Sequence, residues 1–424
     1  MSEIAISDRQ SNVQIFKDFS SNLIGSLSGE MFSFGMGLML LNQTHLAISF
    51  GISTIIGPFV SLLLLVPLGN IVDCYPHRVI LIISDLLRLI SLLLFAWTLP
   101  LFAGTGKLIP VVIFSMLDYI WTDFSSTAYS AAVHELVNER KIQKLSSLTS
   151  TASSISSIFS PLLGVALYSL VGFETFIVIE VLSSLVSFLI MLTMNFHYAP
   201  KTTKKQSTQA GQLQMFKAGI GYIRHRPLIK GVIMIGVLIN FIFTSLTVGM
   251  PFVINDTLHL GNLPISILES ADSVGVLLGS LAMSWQPTKN YVRQLLVIPL
   301  IMDGLIMMLL GLVLMFFRSA ASVSIAGAFV MFLLGVAIVI PNIVMQVELQ
   351  KSVPTEFLGR VTTTLITINS LIMPLGTLFY TYLFQNIHAN YWIFIVNGLF
   401  STIYILALLP KINRFLDQEK YQQN

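Results

Sequence analysis

Twelve times along this chain an apolar run of about twenty residues follows a polar or turn-rich segment, and twenty residues is the length a helix needs to cross a bilayer. The runs lie at approximately 18–41, 46–70, 79–101, 108–133, 145–171 and 173–195, then 229–252, 264–285, 294–316, 320–349, 358–384 and 390–409. A water-soluble domain needs a charged exterior and carries about 25% charged residues; this one has 10%, against 54% hydrophobic. Lipid is therefore the expected solvent, and the runs rich in Gly, Ser and Thr suit membrane helices whose backbones approach closely. The expected fold is an all-α membrane protein of twelve transmembrane helices in two pseudo-symmetric six-helix halves.

Charge sets the expected orientation. Of the 23 Lys and Arg, only Lys107 and Arg318 fall in one set of alternate loops, while the other loops and both termini hold nearly all the rest. The positive-inside rule then places both termini in the cytoplasm, on an inner (plasma) membrane. The polar N-terminus lacks the pattern of a cleaved secretory signal, so the first helix is expected to act as its own insertion signal. No basic stripe with interleaved aromatics points to nucleic acid. Cys74 is the sole cysteine, which excludes an intrachain disulfide and a cysteine metal cluster.

The longest polar segment sits mid-chain. APKTTKKQSTQAGQ reads as a flexible linker, and GQLQMFKAGIGYIRHRPLIK as an amphipathic helix on the membrane surface. The expected organisation is residues 1–195 as the first six-helix half, 196–228 as cytoplasmic linker and amphipathic helix, and 229–424 as the second half. Faint duplication agrees. Leu136-Val137-Asn138-Glu139 is echoed by Ser352-Val353-Pro354-Thr355-Glu356, and Ser160-Pro161-Leu162-Leu163-Gly164 by Met373-Pro374-Leu375-Gly376, in matching order.

Between spans two and three the chain reads PLGNIVDCYPHRVILIISDLLR. Gly69 allows close helix packing and Pro76 suits a tight turn. Asp73 can face a helix N-terminus or a cation, and Arg78 can bind carbonyls or carboxylates. Asp85 and Arg88, three apart, share a helix face. Gly69, Asp73 and Arg78 resemble the loop between helices two and three of the major facilitator superfamily, although Cys74, Pro76 and His77 depart from its pattern. The resemblance implies a cytoplasmic latch of Gly69, Asp73, Arg78, Asp85 and Arg88. PTEFLGRVTT followed by MPLG, with GYIRHRPL and ESADSVGVLLGS, is similar to the macrolide-efflux-like and enterobactin-exporter-like branch, and makes Pro354, Gly359 and Arg360 a second loop motif. In the fifth span Ser156, Ser160, Pro161 and Gly164 resemble the family's antiporter motif, with Ser replacing two glycines; small residues four apart make a ridge for close packing.

The chemistry is expected at acids inside spans, each costing about 2.5 kcal/mol or more if charged and facing lipid. Glu30, Asp118, Asp123, Glu180, Glu269, Asp272 and Asp303 qualify, while Glu348 lies near a span end. Asp118 and Asp123 are separated by about 500° of helix, so they point about 140° apart. The resemblance implies that helices one, four, seven and ten line a central cavity. That makes Glu30, Asp123 and Asp118 the leading proton-coupling or substrate-binding candidates, with Glu180, Asn240 and Trp121 beside them; Asn342, Gln346 and Asn369 are further polar contacts, and Asp303 reads as a structural, hydrogen-bonded acid. No HExxH, GxSxG or phosphate loop occurs, and the His residues fall mostly in loops, so neither an enzyme, nor a metal, nor a cofactor is expected. The reading is a monomeric secondary exporter, by proton-coupled antiport, of an amphiphilic drug-like or siderophore-like small molecule, with the proton or another cation as coupling ion and the lipid bilayer as its surroundings. A lipid or lipid-linked flippase on the same fold stays open.

Overall fold

The structure, a computed structural model, describes residues 7–196, 227–285, 291–352, 355–387 and 389–423. These form helices α1 (Asp8–Thr44), α2 (Ile48–Cys74), α3 (His77–Thr98) and α4 (Leu108–Leu136), then the helix Glu139–Leu192. Gly172 breaks that last helix with φ 73° and ψ 167°, a region essentially reserved for glycine, and its limbs 139–171 and 173–192 are called α5 and α6. The series continues with α7 (Pro227–Phe252), α8 (Leu263–Trp285), α9 (Val292–Phe316), α10 (Ala320–Ser352), α11 (Thr355–Asn386) and α12 (Tyr391–Gln423), with no strand among the described residues.

Nine helical stretches among the described residues are long and apolar enough to cross a membrane. One of them, 140–192, contains both α5 and α6; Ile48–Leu64 of α2 is apolar but shorter, and the polar-rich α11 is not among the nine. All twelve expected spans are thus helical. The expected linker and amphipathic helix of 196–228 lie almost wholly outside the described residues, as does Pro354.

The chain forms two compact units, 1–44 with 59–212, and 45–58 with 213–424. In the first, α1 packs along both α5 and α6, and α3 packs on α4. Its core holds Phe32 in ring contact with Phe95, Phe114, Phe173 and Phe176. Gly35 makes that packing possible, because a Cβ there would stand 2.4 Å from the Phe176 ring. In the second unit α8 packs on α10, α9 on α12 and α10, and α7 on α11. Tyr380, Phe384 and Phe394 fill its core. Large apolar side chains such as Leu170 and Ile325 point outward, 81% and 76% exposed, as a lipid-facing surface requires.

Helix ends explain two departures from the expected boundaries. α1 begins at Asp8, ten residues before its apolar run, because Ser7 and Gln10 cap each other: the Gln10 amide donates to Ser7 Oγ (3.3 Å) and the Ser7 amide to Gln10 Oε1 (3.0 Å). The first helix of each half also ends alike. His45 after Asn42-Gln43-Thr44 and His259 after Asn255-Asp256-Thr257-Leu258 both take φ 54°, a left-handed turn that His tolerates better than most residues.

Candidate functional site

The site is built inside the first unit. α3 presents Arg88 toward α4, where its Nε donates to Asp118 Oδ1 at 2.7 Å; the two side chains are 32% and 28% exposed. The same guanidinium interacts electrostatically with Glu180 of α6 and with Asp85, one turn back on α3. Ser184 Oγ donates to Glu180 Oε1 (3.0 Å) and Ser125 Oγ to Asp85 Oδ1 (3.3 Å). One cation is therefore shared among three acids from three helices. Trp121 Nε1 donates to Ser91 Oγ (3.1 Å), which fixes a large ring beside this group.

α1 closes the arrangement. A Cβ at Gly29 would stand 3.2 Å from Arg88 Nη2, so α1 comes close to the guanidinium at this glycine. The next residue, Glu30, accepts from Ser160 Oγ of α5 at 3.2 Å. Gly164, one turn further along α5, lies against the backbone carbonyl of Met31. The small-residue ridge of Ser156, Ser160 and Gly164, buried along with Pro161, therefore packs on α1 and touches the acid itself. Sequence alone treats the antiporter-like ridge and Glu30 as separate features; the fold joins them.

Asp123, five residues after Asp118, turns to another neighbour and accepts from Ser61 Oγ of α2 at 2.7 Å. In the second unit Asn240 Nδ2 donates to the Gly236 carbonyl four residues back on α7 (2.8 Å), and Gly236 packs against the Asn369 side chain.

The loop residues have their own partners. Arg78 Nη2 donates to the Leu192 carbonyl (3.1 Å) and Lys17 Nζ to that of Thr193 (2.8 Å), so two cations cap the C-terminal end of α6. His77 Nδ1 pairs with Glu135 Oε1 at 2.7 Å. The side chains of Gly69, Asp73, Gly359 and Arg360 lie outside the described residues. Asp85 and Arg88, expected with the latch, interact with each other, and Arg88 pairs with Asp118.

Sequence reasoning missed Asp18. It is 1% exposed and accepts from Thr149 Oγ1 of α5 at 3.0 Å, with Tyr129 of α4 hydrogen-bonded to the same hydroxyl (3.3 Å). The Ser7-x-x-Gln10 capping box was the available signal, since a helix begun there places Asp18 well inside it.

Carboxyls held by hydroxyls and by one shared guanidinium lie among helices long and apolar enough to cross a membrane, and the fold defines a multi-pass membrane protein. The model of the Major Facilitator Superfamily matches residues 19–377, and the chain belongs to that family. It is 25% identical over 356 residues to macrolide efflux protein A of Streptococcus pyogenes, covering 82% of each chain, and 26% identical over 319 residues to the Enterococcus faecalis protein of that name, covering 73% of this chain and 93% of that one. Among solved structures it resembles the nucleoside transporter NupG (TM-score 0.69, 13% identity) and a bacterial homologue of the iron transporter ferroportin in an inward-facing state (0.69, 11%), covering 94% of this chain and 99% of each. Those two likenesses concern the fold.

Proposed function

We propose that this transporter is a secondary exporter that moves an amphiphilic small organic compound out of the cell by alternating access, driven by proton antiport. The observation that carries the export direction is the similarity to two macrolide efflux proteins over most of the chain. Glu30, with Ser160, and Asp123, with Ser61, support the coupling: each is a partly buried carboxyl that, among the described residues, is met by a hydroxyl and no cation, so a change of protonation changes the local field by a full charge. The Arg88–Asp118 pair is already neutralised and serves better as a fixed anchor that holds α3 to α4. Both termini lie in the cytoplasm in this reading, as the distribution of Lys and Arg implies.

The test is transport by the purified full chain in liposomes with an imposed pH gradient, using a radiolabelled macrolide and a panel of amphiphilic cations. Uphill movement abolished by an uncoupler supports the reading. Movement driven by sodium alone, or no movement of any of these compounds alongside transbilayer movement of a labelled phospholipid, overturns it.

A further inference from the structure

The function proposed above leaves three acids of the second unit unused. Glu269 and Asp272, three apart, share a face of α8. Asp303 comes from the middle of α9, and Asp272 interacts electrostatically with both of the others. Asp303 is 4% exposed, and neither of its carboxyl oxygens has a hydrogen-bond partner among the described residues. The expected hydrogen-bonded structural acid is therefore not what the fold presents.

Helix backbones approach closely here. A Cβ at Gly335 of α10 would stand 2.2 Å from the Asp272 carbonyl oxygen, and one at Gly304, beside Asp303, would stand 2.7 Å from the Gly398 carbonyl of α12. Glu269 and Asp272 are only partly buried, whereas Asp303 is buried.

Of the other charged and titratable groups described on the packed elements, none acts on the three acids. Arg293 and Arg318 flank the two ends of α9, Glu348 lies near the end of α10, and Tyr391 and Tyr404 lie on α12. Among the described residues no basic group acts on any of the three acids. An ionised Asp303 would be an anion inside a bilayer with neither donor nor counter-ion, next to a second carboxylate. A metal ion could neutralise the group, but no three His, Cys, Asp or Glu among the described residues are arranged to hold one. The proton is the ligand left.

We propose that Asp303, Asp272 and Glu269 form a proton-binding site in the second unit, distinct from the carboxyls of the first. Asp303 holds the proton, and Asp272 and Glu269 exchange it with solvent. In the exchange the O–H bond of the Asp303 carboxyl breaks, one forms on the Asp272 carboxylate, and the summed charge of the pair is unchanged.

The experiment uses the full chain in lipid nanodiscs and pH-difference infrared spectroscopy of the carboxyl C=O band. A protonated-carboxyl band that comes and goes reversibly with pH in the wild type, and is missing in Asp303→Asn, is the expected result. Asp272→Asn removes a neighbouring negative charge and should move the midpoint of that band toward acid by about one pH unit or more. If Asp303→Asn fails to fold, that midpoint shift alone decides. A wild-type band that does not respond to pH, a midpoint unmoved by Asp272→Asn, or a band erased by sodium or calcium at fixed pH overturns the proposal. The band does not depend on transport, so an exporter test that fails while the band behaves as expected leaves this site standing.

Discussion

Arg88 Nε stands 2.7 Å from Asp118 Oδ1 and ties α3 to α4, while the same guanidinium faces Glu180 and Asp85. Its removal strands three acids in apolar surroundings, whereas removal of Asp118 leaves the cation two other partners. Arg88→Leu should therefore destabilise the detergent-solubilised protein more than Asp118→Asn. Breaking a buried pair costs about 3–5 kcal/mol, and partial exposure of this one brings the expected loss for Arg88→Leu to roughly 1–3 kcal/mol. Thermal unfolding followed by tryptophan fluorescence checks it. The double variant should be less damaging than the sum of the singles; strict additivity would mean the two side chains do not act as a pair.

Glycine contacts give the sharpest stability prediction. Gly275 and Gly335 let α8 and α10 touch backbone to backbone, since a Cβ on either would come 2.2 Å from a carbonyl oxygen of the facing helix. Gly335→Ala should cost about 1–3 kcal/mol by overpacking. Gly172→Ala should cost a similar amount for a different reason, its positive φ, because it has open space around it. Gly106→Ala, which meets only ordinary contacts with Phe102, should be neutral. Folded yield by fluorescence-detected size exclusion ranks the three, and a Gly106 variant as damaged as Gly335→Ala would contradict the packing account.

Much of this was legible in the sequence, for physical reasons that also mark the limits. Apolar run length reports a membrane helix directly, so all twelve runs proved helical, nine helical stretches among the described residues being long and apolar enough to cross a membrane. The five-residue offset of Asp118 and Asp123 already implied different neighbours, and the fold supplies Arg88 of α3 and Ser61 of α2. The partners themselves were not visible, because a run of apolar residues fixes a helix but not the rotation that decides what an acid faces. Thus Asp85 and Arg88 looked like part of a loop motif, and Glu30 and Ser160 looked unrelated. Asp303 differs: its place in α9 suggested a hydrogen-bonded structural acid, and the fold leaves its oxygens without partners among the described residues.

Topology can be tested independently of chemistry. With both termini in the cytoplasm, a reporter fused after Asn138 should report the cytoplasmic side, and fusions after Gly106, Asn262 or Phe317 should report the outside. The prediction rests on the loops that hold only Lys107 and Arg318. An outside signal at Asn138 together with a cytoplasmic one at Asn262 would break the six-plus-six arrangement.

The last prediction concerns coupling through Glu30 and Asp123. Among the described residues each carboxyl is compensated by one hydroxyl, from Ser160 and from Ser61, which leaves the ionised form in need of further stabilisation. Glu30→Gln and Asp123→Asn keep shape and hydrogen-bonding capacity but cannot change charge. If these acids carry the proton, each variant should lose uphill efflux under an imposed pH gradient and still equilibrate substrate down its own gradient, because the pathway survives. A purely structural acid behaves differently: the amide would leave uphill transport intact or lower the folded yield. Ser160→Ala offers a finer probe, since it removes the donor to Glu30 without touching the carboxyl. It should favour the protonated form and move the pH optimum of efflux upward, with yield unchanged. Liposome assays across a pH series separate the cases, and a double Glu30→Gln/Asp123→Asn variant that still concentrates substrate would place coupling elsewhere in the chain.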